Sequence, residues 1–248
     1  MPDRSWYKEW FSSPYYHLLY SKRDQQEASR FISALTTHLH AAPGSRMFDV
    51  ACGKGRYSKA LSDMGFDVTG IDLSESSVLE AKPLENEHLH FYQHDMRLPF
   101  WINYFDFAFN FFTSFGYFRT RREHDSAIRT IAQSLNPSGA FVIDYLNVHY
   151  AEDNLVRSEH KKINGTIFHI SRWHDETHFF KQIQIEDNGA QVKHLFTEKV
   201  SKFTLGDFTE MFAYHGLQVE EVFGDYQLGP FDIRKSPRLI IIARKRAR

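Results

Sequence analysis

Met47-Phe48-Asp49-Val50-Ala51-Cys52-Gly53-Lys54-Gly55-Arg56-Tyr57-Ser58 decides how this chain folds. Met47, Phe48 and Val50 make a short apolar run that ends in small residues. From Arg56 to Met64 the apolar and polar residues then take helical spacing, so the segment reads strand, tight turn, helix. Glycines at 53 and 55, with alanine at 51, let backbone N–H groups approach a ligand with no bulky side chain in the way. The helix that follows aims the positive end of its dipole at the same spot. Asp49 lies inside the strand end and separates this turn from a phosphate cradle, because a carboxylate beside a pyrophosphate would repel it.

The device recurs downstream. Asp67-Val68-Thr69-Gly70-Ile71-Asp72 is a second strand ending in an acid, placed to take both hydroxyls of a ribose. His90-Phe91-Tyr92-Gln93-His94-Asp95-Met96 is a third, its acid followed by an apolar residue. Phe105-Asp106-Phe107-Ala108-Phe109-Asn110 is a fourth, leading into the aromatic run 111–118. One acid at a strand end can be a helix N-cap, and Asp72 before Leu73-Ser74 can serve partly as that. Acids at three successive strand ends point instead to a shared ligand.

Together these segments resemble the class I S-adenosylmethionine-dependent methyltransferases. The turn matches their D-x-G-C-G-x-G pattern, with Ala51 where the first glycine usually stands. The resemblance implies S-adenosylmethionine as cofactor and S-adenosylhomocysteine as product. It assigns Asp49 to the amino end of the methionine moiety, with Ala51, Cys52, Gly53 and Gly55 forming the loop. It assigns Asp72 and Leu73 to the ribose, Asp95 to the adenine amino group and the Met96 N–H to the adenine ring, with Asn110 also at the cofactor. The segment Tyr16 to Asp24 is similar to the lid of glycine and amino-sugar N-methylating enzymes. There an arginine, here Arg23, meets the methionyl carboxylate, and tyrosines, here Tyr16 and Tyr20, line the reaction centre. The plain alternative keeps Arg23 as a solvated helix charge and Tyr16 as a core aromatic.

The expected fold class is α/β: a doubly wound, Rossmann-like, seven-stranded and mostly parallel sheet with a small inserted antiparallel sheet. Residues 1–42 are expected to form an N-terminal helical lid, 43–150 with 205–248 the cofactor-binding core, and 151–204 the insertion. Alternation of strand and helix runs through the core up to residue 145, and short alternating runs with turns at Asn164-Gly165 and Asp187-Asn188-Gly189 mark the insertion. Asn136-Pro137-Ser138-Gly139 is expected to close the long helix 121–135 by C-terminal cap chemistry. By resemblance, 219–223 and 239–243 form an antiparallel pair at the sheet edge.

Composition narrows the function. A chain of 248 residues and 29.2 kDa can bury one full core with an embellishment. A formal net charge of -1 supplies no field to gather nucleic acid or an anionic membrane, and the basic tail 244–248 reads as solvated. Cys52 is the single cysteine, which excludes an intrachain disulfide and a cysteine-built zinc site. The 14 histidines are scattered without metal-ligand spacing, so no metal is expected. With no signal-like N-terminal run and no apolar stretch near the ~20 residues of a span, a cytoplasmic protein is expected.

Methyl transfer is an in-line displacement at a carbon already activated by sulfonium, so the protein's task is alignment and desolvation of the nucleophile. A base is needed only for a protonated nucleophile; Tyr16, His149 and Asp144 are the candidates, with Tyr16 preferred as catalytic. The run after Asn110 lacks the Asn/Asp-Pro-Pro-Tyr motif of amino-methylating DNA enzymes, and its aromatic density suits a dry pocket for a small-molecule acceptor or plain core packing. Arg238 lies in a segment that can face the same mouth, and the inserted sheet can roof the pocket or serve as the interface of a homodimer. The alternative reading is a non-catalytic cofactor-binding regulator of the same fold. A nicotinamide dehydrogenase fits poorly, since Ser58 holds the third glycine place and Asp49 opposes a pyrophosphate.

Overall fold

The computed structural model describes residues 6–20, 25–186 and 195–246. Helices α1 (Trp6–Phe11), α2 (Pro14–Leu19) and α3 (Gln25–His38) come first. Next are β1 (Arg46–Val50), α4 (Arg56–Asp63), β2 (Asp67–Asp72), α5 (Glu75–Ala81) and β3 (Leu89–Gln93). Then follow β4 (Phe105–Asn110), α6 (Arg121–Ser134), β5 (Leu135–Leu146) and α7 (Val148–Asp153). Four strands succeed them: β6 (Ser158–Ile163), β7 (Thr166–His174), β8 (His178–Glu186) and β9 (Leu195–Ser201). Helix α8 (Leu205–Tyr214) leads to β10 (Leu217–Phe223) and β11 (Arg238–Lys245).

These elements form two units, one from Asp24–Tyr150 with Phe203–Arg248, the other from Met1–Arg23 with Ala151–Lys202. In the first, seven strands lie in the order β10-β11-β5-β4-β1-β2-β3. β1 to β5 run parallel, and β11 is antiparallel to both β5 and β10. β1 pairs with β2 on one side and β4 on the other, so strand order reverses there, where open α/β sheets hold ligands.

The long apolar runs of β1, β4 and β5 are buried because helices cover both faces. Phe31, Ile32 and Leu35 of α3 and Leu61 of α4 share a core cluster with Met47, Val68, Val142 and Ile240. Phe208 and Phe212 of α8 meet Tyr145 and Phe141, with ring centroids 5.1 and 5.5 Å apart. Reciprocal side-chain caps start α6 (Thr120 with Glu123) and α8 (Thr204 with Asp207), each worth about 1 kcal/mol.

One local expectation is corrected. α6 ends at Ser134, and Leu135 is already extended and paired with Phe105. Residues 136–139 are a bulge inside β5, not a helix cap: the register jumps from Phe105↔Leu135 to Phe107↔Ala140, and Ser138 takes the left-handed conformation at φ 64. The reason lies across the ladder, where Asn136 Nδ2 donates to Asp106 Oδ1 (2.7 Å) and the Tyr104 carbonyl (3.2 Å). Gly139 fits because a Cβ there would come within 3.0 Å of the Asn136 carbonyl.

The other unit is a four-stranded antiparallel sheet, β6-β7-β8-β9, with α1 and α2. Phe168, Ile170, Ile183 and Ile185 point to one face and pack with Trp10 and Leu19, the alternation of a sheet covered on one side. Asn164 and Gly165 both take positive φ in the β6–β7 hairpin, as a two-residue turn requires. The Asp187-Asn188-Gly189 turn lies outside the described residues. Among the described residues no helix is long and apolar enough to cross a membrane.

Candidate functional site

The turn between β1 and α4 is held from β2. Cys52 N–H donates to the Ile71 carbonyl (2.9 Å), and Gly53 N–H donates to Asp72 Oδ2 (2.8 Å). Asp72, the last residue of β2, also accepts the Ser74 N–H through Oδ1 (2.8 Å), so one carboxylate fixes the turn and the entry to α5. Ala51, Gly53 and Gly55 all have positive φ (63, 57 and 79°). Alanine at 51 therefore keeps the conformation in which a glycine is usual, at a cost of about 1–2 kcal/mol.

Gly55 is needed for space as well as for φ. A Cβ there would lie 2.4 Å from Phe91 Cζ, whose ring is fully buried, whereas at Gly53 it would meet nothing within 4 Å. Gly55→Ala is expected to cost about 2 kcal/mol, and Gly53→Ala only about 1. Thermal melts should show a fall of roughly 4–8 °C for Gly55→Ala and a smaller one for Gly53→Ala; equal shifts would contradict this packing.

Asp49 lies beneath the turn, 1% exposed, and accepts the Ser58 hydroxyl through Oδ2 (2.6 Å). Burial, reinforced by the nearby Asp72 charge and opposed by Ser58, pushes its carboxyl up to about 7. Burial likewise raises the Asp72 carboxyl, against the N–H donors of Ser74, Gly53 and Leu73. The Cys52 thiol is pushed up by burial and by both acids, so it stays neutral and packs against the turn. Asn110, at the end of β4, donates through Nδ2 to the Val50 carbonyl (2.9 Å) and so bridges the two strands at the switch point. Its Oδ1 is buried and accepts no hydrogen bond among the described residues.

The third acid is held differently. Asp95 pairs with Arg97 (2.6 Å), which also meets Glu123 of α6 at 2.6 Å. The Met96 carbonyl accepts the Thr130 hydroxyl. Thus Asp49, Ala51, Cys52, Gly53, Gly55, Asp72, Leu73 and Asn110 gather around the β1–β4 switch point, while Asp95 and Met96 follow β3 at the next strand end but one. Tyr16 and Tyr20 belong to the other unit, where their rings lie 4.9 Å apart and Tyr16 also packs on Trp10 and Phe11. The Tyr20 hydroxyl is engaged by Glu198 (3.3 Å) and Lys181. Arg23 lies outside the described residues.

Beyond β4 the turn is pinned at both ends. Asp144, a base candidate on sequence, has both oxygens occupied: Phe112 N–H (2.8 Å) and the Tyr226 hydroxyl (3.1 Å) on one, Arg238 Nε (2.7 Å) on the other. At the far end His124 Nε2 accepts the Phe118 N–H (3.3 Å), and Nδ1 bonds to the Thr120 carbonyl (2.9 Å). Burial lowers this imidazole to about 4, which fits a neutral ring protonated on Nδ1. Arg97 and Ser58 were missed by sequence reasoning although spacing could flag them, two residues after Asp95 and on the first turn of α4. Tyr226 carried no such signal.

Residues 48–143, from β1 through β5, match the family model described as a methyltransferase domain. The segment is a methyltransferase domain. Over 188 residues the chain is 27% identical to a dTDP-3-amino-3,4,6-trideoxy-alpha-D-glucopyranose N,N-dimethyltransferase of Streptomyces venezuelae, covering 73% of this chain and 78% of that one. Its fold is similar to that of an S-adenosylmethionine-dependent methyltransferase from Clostridium acetobutylicum, with TM-score 0.77, 14% identity and coverage of 94% and 96%. It is also similar to an amino pentose methyltransferase of calicheamicin biosynthesis from Micromonospora echinaspora, solved with S-adenosylmethionine bound. There the TM-score is 0.68, with 19% identity and coverage of 94% and 97%. At these identities the structural likeness speaks for the fold.

Proposed function

We propose that this methyltransferase moves the methyl group of S-adenosylmethionine to the amine of a small molecule, with an amino-sugar nucleotide as the leading acceptor class. The observation that carries the cofactor assignment is the pair of buried carboxyls, Asp49 and Asp72, joined through the Gly53 turn at the switch point. Two desolvated carboxyls close together favour a cation and disfavour a pyrophosphate. The residues also fit the group in another respect: Asn110 Oδ1 is a buried acceptor lacking a donor, which an ammonium can supply.

In this reading Asp72 keeps the Gly53 and Ser74 N–H donors and uses its remaining lone pairs for the ribose hydroxyls. Asp49 and Asn110 answer the positive amino end, and Asp95 and the Met96 backbone take the adenine. Bound S-adenosylmethionine supplies an electrophilic methyl group, leaving the chain to align and desolvate the acceptor nitrogen. The amine class rests on the relatives, one named as an N,N-dimethyltransferase of an amino sugar and one as an amino pentose methyltransferase.

Titration calorimetry with S-adenosylhomocysteine tests the cofactor. Incubation with methyl-labelled S-adenosylmethionine and dTDP-amino sugars, free amino sugars and glycine tests the acceptor. Binding together with labelled amine product is the expected result. Product only from hydroxyl acceptors would overturn the amine assignment, and tight binding with no product from a broad metabolite panel would favour the non-catalytic regulator.

A further inference from the structure

We propose that Asp144 is a positioning residue that locks the turn after β4 into the shape of the crevice's acceptor-side wall, an inference that rests on the methyltransferase reading above. Asp144 has no exposed surface. Its side chain holds the Phe112 N–H, and its own carbonyl holds the Thr113 N–H at 2.9 Å. Phe112 and Thr113 both sit at φ 57, two consecutive non-glycine residues in the left-handed region, one of them β-branched. That pairing persists only where neighbouring structure over-determines it.

Arg238 completes the lock. It pairs with Asp144 at 2.6 Å and donates through Nη2 to Thr113 Oγ1 at 3.0 Å, so the turn is gripped by two side chains and by the Asp144 backbone carbonyl. Tyr226, which donates to Asp144, packs on Phe31 at 4.7 Å; Phe31 in turn meets Phe111 at 5.7 Å. Phe111 lies 4.5 Å from Tyr57, two residues past Gly55. The lock is thus continuous with the glycine turn. A desolvated ion pair is a costly means of filling this place, since a packed apolar side chain would hold a merely structural contact as well.

Topology says which wall this is. The turn leaves β4 on the β5 side of the switch point, while Asp72 and Asp95 come from β2 and β3 on the opposite side. A ligand lying across the crevice, with its nucleoside over β2 and β3, presents its other end to the turn 111–113. Asp144 touches neither partner of the reaction in this scheme; it acts through Phe112 and Thr113.

The test uses the whole chain carrying 4-fluorophenylalanine at position 112, with S-adenosylhomocysteine as the probe. Fluorine spectra, amide exchange of the 111–113 segment and calorimetric affinity are measured for the parent, Asp144→Asn and Thr113→Ala. In the parent one sharp fluorine line should shift on adding the probe. In Asp144→Asn the line should broaden and lose that response, and amide exchange at 112 and 113 should rise at least tenfold, with affinity for the probe within about threefold of the parent. Thr113→Ala, which leaves the ion pair intact, should raise exchange severalfold, and it decides the matter should Asp144→Asn fail to fold. A parent line that ignores bound probe, or variants with unchanged exchange and response, would overturn the positioning role alone. Affinity falling in step with exchange would move Asp144 to the cofactor side and also overturn it. A parent that does not bind the probe brings down the underlying methyltransferase reading first.

Discussion

Asp72→Ala is expected to weaken S-adenosylhomocysteine binding at least a hundredfold by titration calorimetry. Two losses combine. The carboxylate accepts the Gly53 and Ser74 N–H groups, both at 2.8 Å, so alanine releases the turn and the start of α5 together. It also removes the acceptors proposed for two ribose hydroxyls, and hydrogen bonds to a charged group contribute about 1.5–3 kcal/mol each. Two of them exceed the ~2.7 kcal/mol that corresponds to a hundredfold. Asp72→Asn should fall between, near tenfold, because its amide can accept one N–H but must turn two donors toward the other. The free protein should remain folded in both, since burial already disfavours this carboxylate. Unchanged affinity in the alanine variant would sink the ribose assignment and with it the proposed placement of the nucleoside.

Features of the chain that are local in sequence were readable, and those that depend on distant pairing were not. Acids closing apolar runs placed Asp49 in β1 and Asp72 at the end of β2, because a buried parallel strand is a continuous apolar stretch and its end is a change of composition. The long helix, expected over 121–135, is found at 121–134. Asn136-Pro137-Ser138-Gly139 misled, since its composition suits a helix cap and the deciding partner, Asp106, lies 30 residues away. Asp144 looked available as a base until Arg238, 94 residues on, was seen to occupy it. No local pattern signals a contact made only when β11 inserts beside β5. Asp95 is similar on a smaller scale: its acid was legible, whereas the contact of its partner Arg97 with Glu123 needs α6 in place.

Asp49 makes cofactor binding depend on pH, in the direction opposite to its effect on the free fold. Its carboxyl sits near 7 chiefly through burial, against an ordinary value of 3.8, so the free protein holds a proton there that the unfolded chain has lost. Where the native state binds the extra proton, stability falls as pH rises, here between about pH 4 and 7, after which the loss is complete. A bound cation reverses the preference by favouring the carboxylate. Affinity for S-adenosylmethionine should therefore climb roughly tenfold or more from pH 5.5 to 7.5 and then level off, since each pK unit corresponds to about 1.4 kcal/mol. Calorimetry near pH 6.5 in buffers of differing ionisation enthalpy should report proton release on binding. Asp49→Asn keeps an acceptor for the Ser58 hydroxyl but cannot ionise, so its binding should be weaker at pH 7.5 and flat with pH. Its melting temperature should in turn decline less than the parent's between pH 5 and 7, the remainder belonging to the raised Asp72 carboxyl. A parent whose affinity is level across this range would mean that the cation's charge is met elsewhere, and Asp49 would then be left with the Ser58 contact alone.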